Sequence, residues 1–537
     1  MAIIHIETLS FQYKESKTKL VSQLDAAIEK NTWTTVVGAV GVGKTTLLRL
    51  LKRNRQPKGD LSGWITADED LVIAYLPENP DGQFVTEDVW SELVFPLENL
   101  GLSASEIDWR VGEMVHFMGI SSWLSRSLSS LSAGQKQLVQ LMACLITRPD
   151  VLILDNPLTY LDDIIRRRYL DLLSEIQAVT SLTIIMSTHD ISQVMAKSDA
   201  FIWLKENEKT VYLNRQEFIK SVYHSSSDIA FQLPIPLTMA RRLRYEEIGE
   251  LSLKETRHWL ERDSVVVEGC SHPYQQDFET GHPVLIQLKD AIFRYERTGE
   301  MILNQAELTI ETGERLMLLG ANGVGKTTLL KLLARQLPLY QGSLSSPAFK
   351  KREWRHFVKW LPQHALYILT ETNADAEYRQ YLNSLGVSAE MISAKIQEVV
   401  TKLKLNTMMS RPYYQLSAGQ QQLIALGKLM LSQPKLLLLD EPTQHLDEHE
   451  KHRLGQILRQ LSSEGVTIVI ATHDREFAAL YGSSCCMMFH GKLTQKENPV
   501  TFFSKHYFYR TPIASLLRDY ADEVVVPEQL AAQGQNL

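Results

Sequence analysis

A chain of 537 residues is long enough for two to four domains, and 44% hydrophobic against 22% charged residues is the balance of a protein with real cores. A formal net charge of -7 argues against a general nucleic-acid binder, which carries a basic excess. The four cysteines (Cys144, Cys270, Cys485, Cys486) have neither zinc nor disulfide-framework spacing, and no stretch approaches the ~20 apolar residues of a membrane span. The expectation is therefore a soluble or peripheral protein of a reducing compartment, with no signal peptide at MAIIHIETLSFQY.

In chain order, the apolar strand TTVVGAV runs into a glycine-rich turn from Gly38 to Thr45, and a helix is predicted to open at Lys44. LPEN follows with Glu78, then LSAGQ from Leu131 to Gln135. VLILDNP carries Asp155 and Asn156, and TIIMSTHD carries His189. A less regular stretch, roughly 205–283, comes next. In it Leu237, Ala240, Leu243 and Ile248 predict one short amphipathic helix, and Ser252 with Glu255 predicts a capping box opening another. The whole series then returns: RLMLLGANGVGKTTLLKLL, LPQH with Gln363, LSAGQ from Leu416 to Gln420, LLLLDEP with Asp440 and Glu441, and ATHD with His473. The loop lysines are 282 positions apart and the aspartates 285, so one ancestral unit occurs twice. Apolar strands alternating with helices predict an α/β fold with a parallel sheet in each unit. The predicted boundaries are 1–225 for the first unit, 226–283 for an appendage and linker, 284–500 for the second unit and 501–537 for a second appendage, around PIASLLRDYADE.

Gly-x-x-x-x-Gly-Lys-Thr is a phosphate-binding loop. Gly38, Gly41 and Gly43, like Gly320, Gly323 and Gly325, let successive backbone N–H groups turn toward phosphate oxygens at a helix N-terminus. Lys44 and Lys326 are expected to reach the β- and γ-phosphates, followed in the first helical turn by Thr45 and Thr46 or Thr327 and Thr328. Thr45, Asp155, Thr327 and Asp440 are the candidate Mg²⁺ ligands, and ATP with Mg²⁺ is the expected cargo of the loop. A lone strand-end aspartate would read as turn chemistry. Two copies in the same company do not.

LSAGQ resembles the LSGGQ signature of ATP-binding cassette proteins, with alanine at its third position in both copies. The resemblance implies two tandem cassette domains, each with a parallel-sheet core, a helical subdomain and a small C-terminal appendage. It implies that Ser132, Gly134 and Gln135 serve the nucleotide held by Lys326, and Ser417, Gly419 and Gln420 the one held by Lys44. It places Tyr13 and Tyr295 at the adenine, Asp162 and Asp447 in the D-loops, Gln363 as a further Mg²⁺ ligand, and Gln363 and His473 with Glu441 as the catalytic group. His445, His449 and His452 have near-helical spacing, but a solvated face is expected there rather than a metal site.

The two sites differ. Glu441 can take a proton from water, whereas Asn156 can only hydrogen-bond it. Glu78 stands where the other copy has Gln363, and Val40 where it has Asn322. One hydrolytic and one slow, ATP-holding site are expected, the latter built from Lys44, Thr45, Glu78, Asp155, Asn156 and His189; a role for Glu78 as substitute base is the rival.

DGQFVTEDVWSELVFPLENLGLSASEI, from Asp81, resembles the stretch after the Q-loop in energy-coupling-factor (ECF) transporter ATPases. The linker QLPIPLTMARRLRYEEIGELSLKETRHWL resembles their C-terminal appendage, while ILTETNADAEYRQYLNSLG is a looser copy of the first segment. The resemblance implies the motor of a vitamin or metal-ion importer, peripheral at the cytoplasmic face of the cell membrane. Its partners would be a transmembrane scaffold subunit of T type and a substrate-binding membrane subunit, with no nucleic acid. The scaffold would dock at residues 80–97 and 362–375. A ribosome-associated tandem cassette is the alternative, but it calls for a basic helical linker and a glutamate in both units. A DNA-acting cassette calls for coiled-coil or zinc insertions.

Overall fold

The computed structural model describes residues 2–530 apart from 15–17, 40, 79–81, 160, 162, 207, 226–231, 243–251, 263–280, 297–298, 300, 322, 445, 508 and 522. Val40, Asn322, Asp162, His445, Leu243 and Ile248 thus lie outside the described residues. The chain forms two compact units, Met1–Pro234 and Ile235–Leu537.

The first unit is built on a six-stranded sheet. Its order is Ile73–Leu76, Val151–Leu154, Thr183–Ser187, Trp33–Val37, Ala200–Trp203 and Val211–Asn214, all parallel except the last pairing. The middle strands are buried along their whole length because both faces are covered, so they read as continuous apolar runs. Alternate residues go to opposite cores. Val151 and Ile153 pack with the phosphate-loop helix, and Leu152 and Leu154 with the helix Asp163–Thr180. A second, antiparallel sheet of three strands (Val21–Glu29, Ala2–Gln12, Asp60–Ala67) covers the first of these faces. Helices Val89–Asn99, Ala104–Met118 and Ala133–Leu145 close around their own core of Val89, Leu93, Leu97, Val111 and Met142, which makes the helical subdomain.

The second unit repeats this plan. Its main sheet runs Val358–Leu361, Leu436–Asp440, Thr467–Ala471, Arg315–Leu319, Ser484–Phe489 and Lys492–Leu493, with an antiparallel sheet of Leu303–Glu311, Val284–Phe293 and Gln341–Ser345. Helices Ala374–Ser384, Ala389–Leu403 and Ala418–Met430 form its helical subdomain. Cys485 and Cys486 are buried in the strand Ser484–Phe489, as packing residues.

The two appendages meet within the second unit. Helices Ile235–Arg242 and Leu253–Arg262 share a core with the C-terminal segment, made by Met239, Trp259, Leu260, Ile513, Leu516 and Leu517 among others. Leu237 and Ala240 are buried as the amphipathic pattern requires. The capping box forms too, with Glu255 N donating to Ser252 Oγ at 3.2 Å and Ser252 N to Glu255 Oε2 at 2.8 Å. No described helix is long and apolar enough to cross a membrane.

Candidate functional site

Each phosphate loop joins the end of a central strand to a short helix, Lys44–Leu50 or Lys326–Leu333. Glycine is required at the loop entrance. Gly38 has φ +149°, and a Cβ there would lie 2.5 Å from the Leu204 carbonyl oxygen. Gly320, at φ +150°, faces the Met488 carbonyl at 2.8 Å in the same way. Gly41, Gly43, Gly323 and Gly325 also have positive φ. Both lysines fold back over the loop. Lys44 Nζ donates to the carbonyls of Gly38 (2.7 Å) and Ala39 (2.9 Å), and Lys326 Nζ to those of Gly320 (2.8 Å) and Ala321 (3.3 Å). The ammonium groups are thus held at the loop mouth by bonds that a phosphate can replace.

The next residues reach the sheet edge. Thr45 Oγ1 donates to Asp155 Oδ1 at 3.1 Å, and Thr327 hydrogen-bonds Asp440. Asp155 is also held by Tyr75 Oη (3.1 Å) and Ser187 Oγ (2.8 Å). Burial, then the charge of Glu441, pushes the Asp440 carboxyl up to about 6. A hydroxyl beside a carboxylate is an oxygen-only donor set of the kind Mg²⁺ takes when it arrives with phosphate oxygens. Tyr13 Oη lies 3.2 Å from Thr46 Oγ1 and Tyr295 Oη 3.1 Å from Thr328 Oγ1, so each ring stands beside its own phosphate loop.

One residue beyond each aspartate the units diverge. Asn156 and Glu441 share a left-handed backbone, φ 45° and 47°. Asn156 Nδ2 is 3.0 Å from His189 Nε2, whereas Glu441 Oε2 is 2.9 Å from His473 Nδ1. Lys326 Nζ lies 3.3 Å from Glu441 Oε1. Burial alone would raise the Glu441 carboxyl, but the bond to His473 and the charge of Lys326 outweigh it and hold the group below its ordinary value. Glu441 is therefore ionised at neutral pH. Glu78 goes the other way: burial, then the charge of Asp155, pushes it up to about 7. Gln363 Nε2 donates to Gln444 Oε1, and the Glu78 carboxylate accepts from Asn156 and from Thr159 Oγ1 at 3.4 Å.

The signature residues are set apart, at the N-termini of the helices Ala133–Leu145 and Ala418–Met430. Ser132 and Gln135 form a reciprocal capping box, as do Ser417 and Gln420. The glycines between are tightly packed. A Cβ on Gly419 would come 2.4 Å from Leu446 Cδ2, and one on Gly134 3.2 Å from Ile165 Cδ1. Asp447 caps the helix Glu448–Ser463. His452 Nδ1 is bonded to Tyr481 Oη.

Four residues of this constellation escaped the sequence reading: Tyr75, Ser187, Thr159 and Gln444. Thr159 and Gln444 were within reach of it, since each lies three positions after Asn156 or Glu441 in its own copy. Tyr75 and Ser187 were not, because their second-unit counterparts, Trp360 and Ala471, carry no hydroxyl.

The ABC transporter family model matches residues 21–159 and 303–444, together more than half of the chain. The chain belongs to the ABC transporter family. It is an ABC-type ATPase with two tandem cassettes. A Bacillus anthracis protein provisionally named an ABC transporter ATP-binding protein is 32% identical, over 96% of each chain. A Streptococcus mutans protein of the same provisional name is 25% identical, over 94% of this chain and 92% of its own. Among solved structures, cbiO1 of Clostridium perfringens, described as part of the ABC transporter complex cbiONQ, is 22% identical with a TM-score of 0.40, covering 45% of this chain and 95% of that one.

Proposed function

We propose that this ABC ATPase is the motor of an ECF-type importer, with one hydrolytic and one ATP-holding site. The observation that carries the catalytic half is the pairing of Glu441 with His473, against Asn156 with His189 in the other unit. Glu441 is ionised and can accept a proton from water. The water oxygen then bonds the γ-phosphorus, the bond to the β–γ bridging oxygen breaks, and ADP leaves. His473 fixes the direction of the carboxylate. Lys326 passes from Glu441 and the loop carbonyls to the phosphates, which frees the base as the nucleotide seats. Bound Mg²⁺ would neutralise phosphate charge, held from the protein side by Thr327 and Asp440, with Gln363 two residues past the end of the neighbouring strand Val358–Leu361. In the first unit Thr45 and Asp155 offer the same hold, but Asn156 has no lone-pair base of comparable strength.

The importer half rests on the likeness of the segment from Asp81 to ECF ATPases. Scaffold and substrate-binding membrane subunits are the proposed partners, and the cytoplasmic membrane face the proposed location. The test is ATP turnover of wild type, Glu441→Gln and Lys44→Ala, alone and with co-expressed membrane subunits. Glu441→Gln is expected to lower turnover by about 10²–10⁴, and the chain to co-purify with the membrane subunits. Half the rate remaining in Glu441→Gln would overturn the single-engine reading.

A further inference from the structure

Two neighbouring strand ends in each unit carry the same two chemical groups in opposite order. In the first unit Leu76 pairs with Leu154 in parallel register, and in the second Leu361 pairs with Leu439. Two residues beyond each pair come Glu78 and Asn156 in the first unit, and Gln363 and Glu441 in the second. The acid follows the outer strand in one unit and the inner strand in the other.

The surroundings have changed in step. A carboxylate only accepts hydrogen bonds, and Glu78 accepts from the Asn156 amide and from the Thr159 hydroxyl, 3.4 Å away. A glutamine amide donates, and Gln363 donates to the carbonyl oxygen of Gln444. The partners Thr159 and Gln444 occupy one structural position, 285 residues apart, the same offset that relates Glu78 to Gln363 and Asn156 to Glu441. The backbone frame is also shared, so the difference at 156 and 441 is chemical rather than conformational. Each unit consequently keeps two carboxylates around its phosphate loop, Asp155 with Glu78 and Asp440 with Glu441. A simple loss of the glutamate would have left one, and restoring it at 156 alone would make three.

We propose that Glu78 and Asn156 form a matched pair, a transposed copy of Gln363 and Glu441, in which Glu78 acts as a positioning residue that holds the Asn156 amide and the charge of the first site. Restoring hydrolysis there then requires both positions to be exchanged together. This rests on the reading that the first site holds ATP without hydrolysing it.

The experiment uses the full chain in a Glu441→Gln background, adding Glu78→Gln, Asn156→Glu, or both. ATP turnover and the melting temperature without nucleotide are measured for each. Residual turnover of the background itself is read first: near half of wild type, it removes the holding reading before any exchange is tested. With a silent background, the double exchange is expected to raise turnover at least about tenfold, by restoring a positioned base, while neither single change does. Asn156→Glu is expected to lower the melting temperature, and adding Glu78→Gln to restore more than that change gives by itself. A folded double variant no more active than the singles overturns the proposal. So does Asn156→Glu matching the double, or melting shifts that simply add.

Discussion

At the scale of single residues, the two sites are distinguished by how readily their glutamate takes up a proton. Glu441 is held ionised by His473 and Lys326, while Glu78 is pushed up to about 7 by burial and by Asp155. The second shift has a stability consequence. Between the ordinary glutamate value and about 7 the folded state keeps a proton that the unfolded state has released. Stability contributed by this group therefore falls as pH rises through that window. Glu78→Gln removes the effect, and its carbonyl can still accept from Thr159. The variant is expected to melt a few degrees above wild type at pH 8 and close to it at pH 5, as thermal scans without nucleotide would show. A gain that is the same at both pH values would mean that Glu78 is charged throughout. Glu441 also sits in the left-handed region, where asparagine is tolerated better than glutamate. Strain retained at that position fits a residue kept for its chemistry.

At the scale of elements, the signature and the helical subdomain depend on helix ends and close packing. Ser132 and Ser417 satisfy otherwise unpaired N–H groups at the starts of 13-residue helices. Replacing either with alanine is expected to cost about 1 kcal/mol, read from urea unfolding. The helix Ala418–Met430 lies against Ala374–Ser384 through Gly427, where a Cβ would come 2.1 Å from Tyr378 Oη. That hydroxyl is fixed by a 2.8 Å bond to the Ile424 carbonyl, and the ring is fully buried, so it cannot swing aside. Gly427→Ala is expected to destabilise by about 1–3 kcal/mol, the range for overpacking. Gly427→Ala combined with Tyr378→Phe should recover part of that loss. If it recovers none, the hydroxyl is not the obstacle.

At the scale of the whole molecule, the second unit is more than a cassette. The linker helices and the C-terminal segment share one small core, with Trp259 almost buried and Arg257 Nη2 donating to the Ser515 carbonyl at 2.6 Å. Segments more than 240 positions apart in sequence stabilise each other there. Trp259→Ala is expected to cost about 3–5 kcal/mol locally. Limited proteolysis should then cleave near residues 511–530 before either cassette is cut. Cleavage elsewhere first would show that the C-terminal segment is held without the linker.

The sequence by itself determined the repeat, the phosphate loops, the strand-end aspartates and the capping box of Ser252 with Glu255, because each is a local pattern whose chemistry depends on near neighbours. The caps that Ser132 and Ser417 make were not read. The antiparallel sheets were not read, although Leu24, Ala26 and Ile28 alternate as such a strand should; the third strand of the first one, Asp60–Ala67, pairs with Ala2–Gln12 across a long stretch of chain. Asn156 and Glu78 were each visible as departures, and Glu78 as a rival base, but not their hydrogen bond, since 77 residues of chain lie between them. Only the parallel register of two adjacent strands brings them side by side, and only the fold brings Tyr75, Ser187 and Thr159 to the same edge. Contacts across a sheet are set by strand order and register, which depend on packing of the whole unit rather than on any local run of residues.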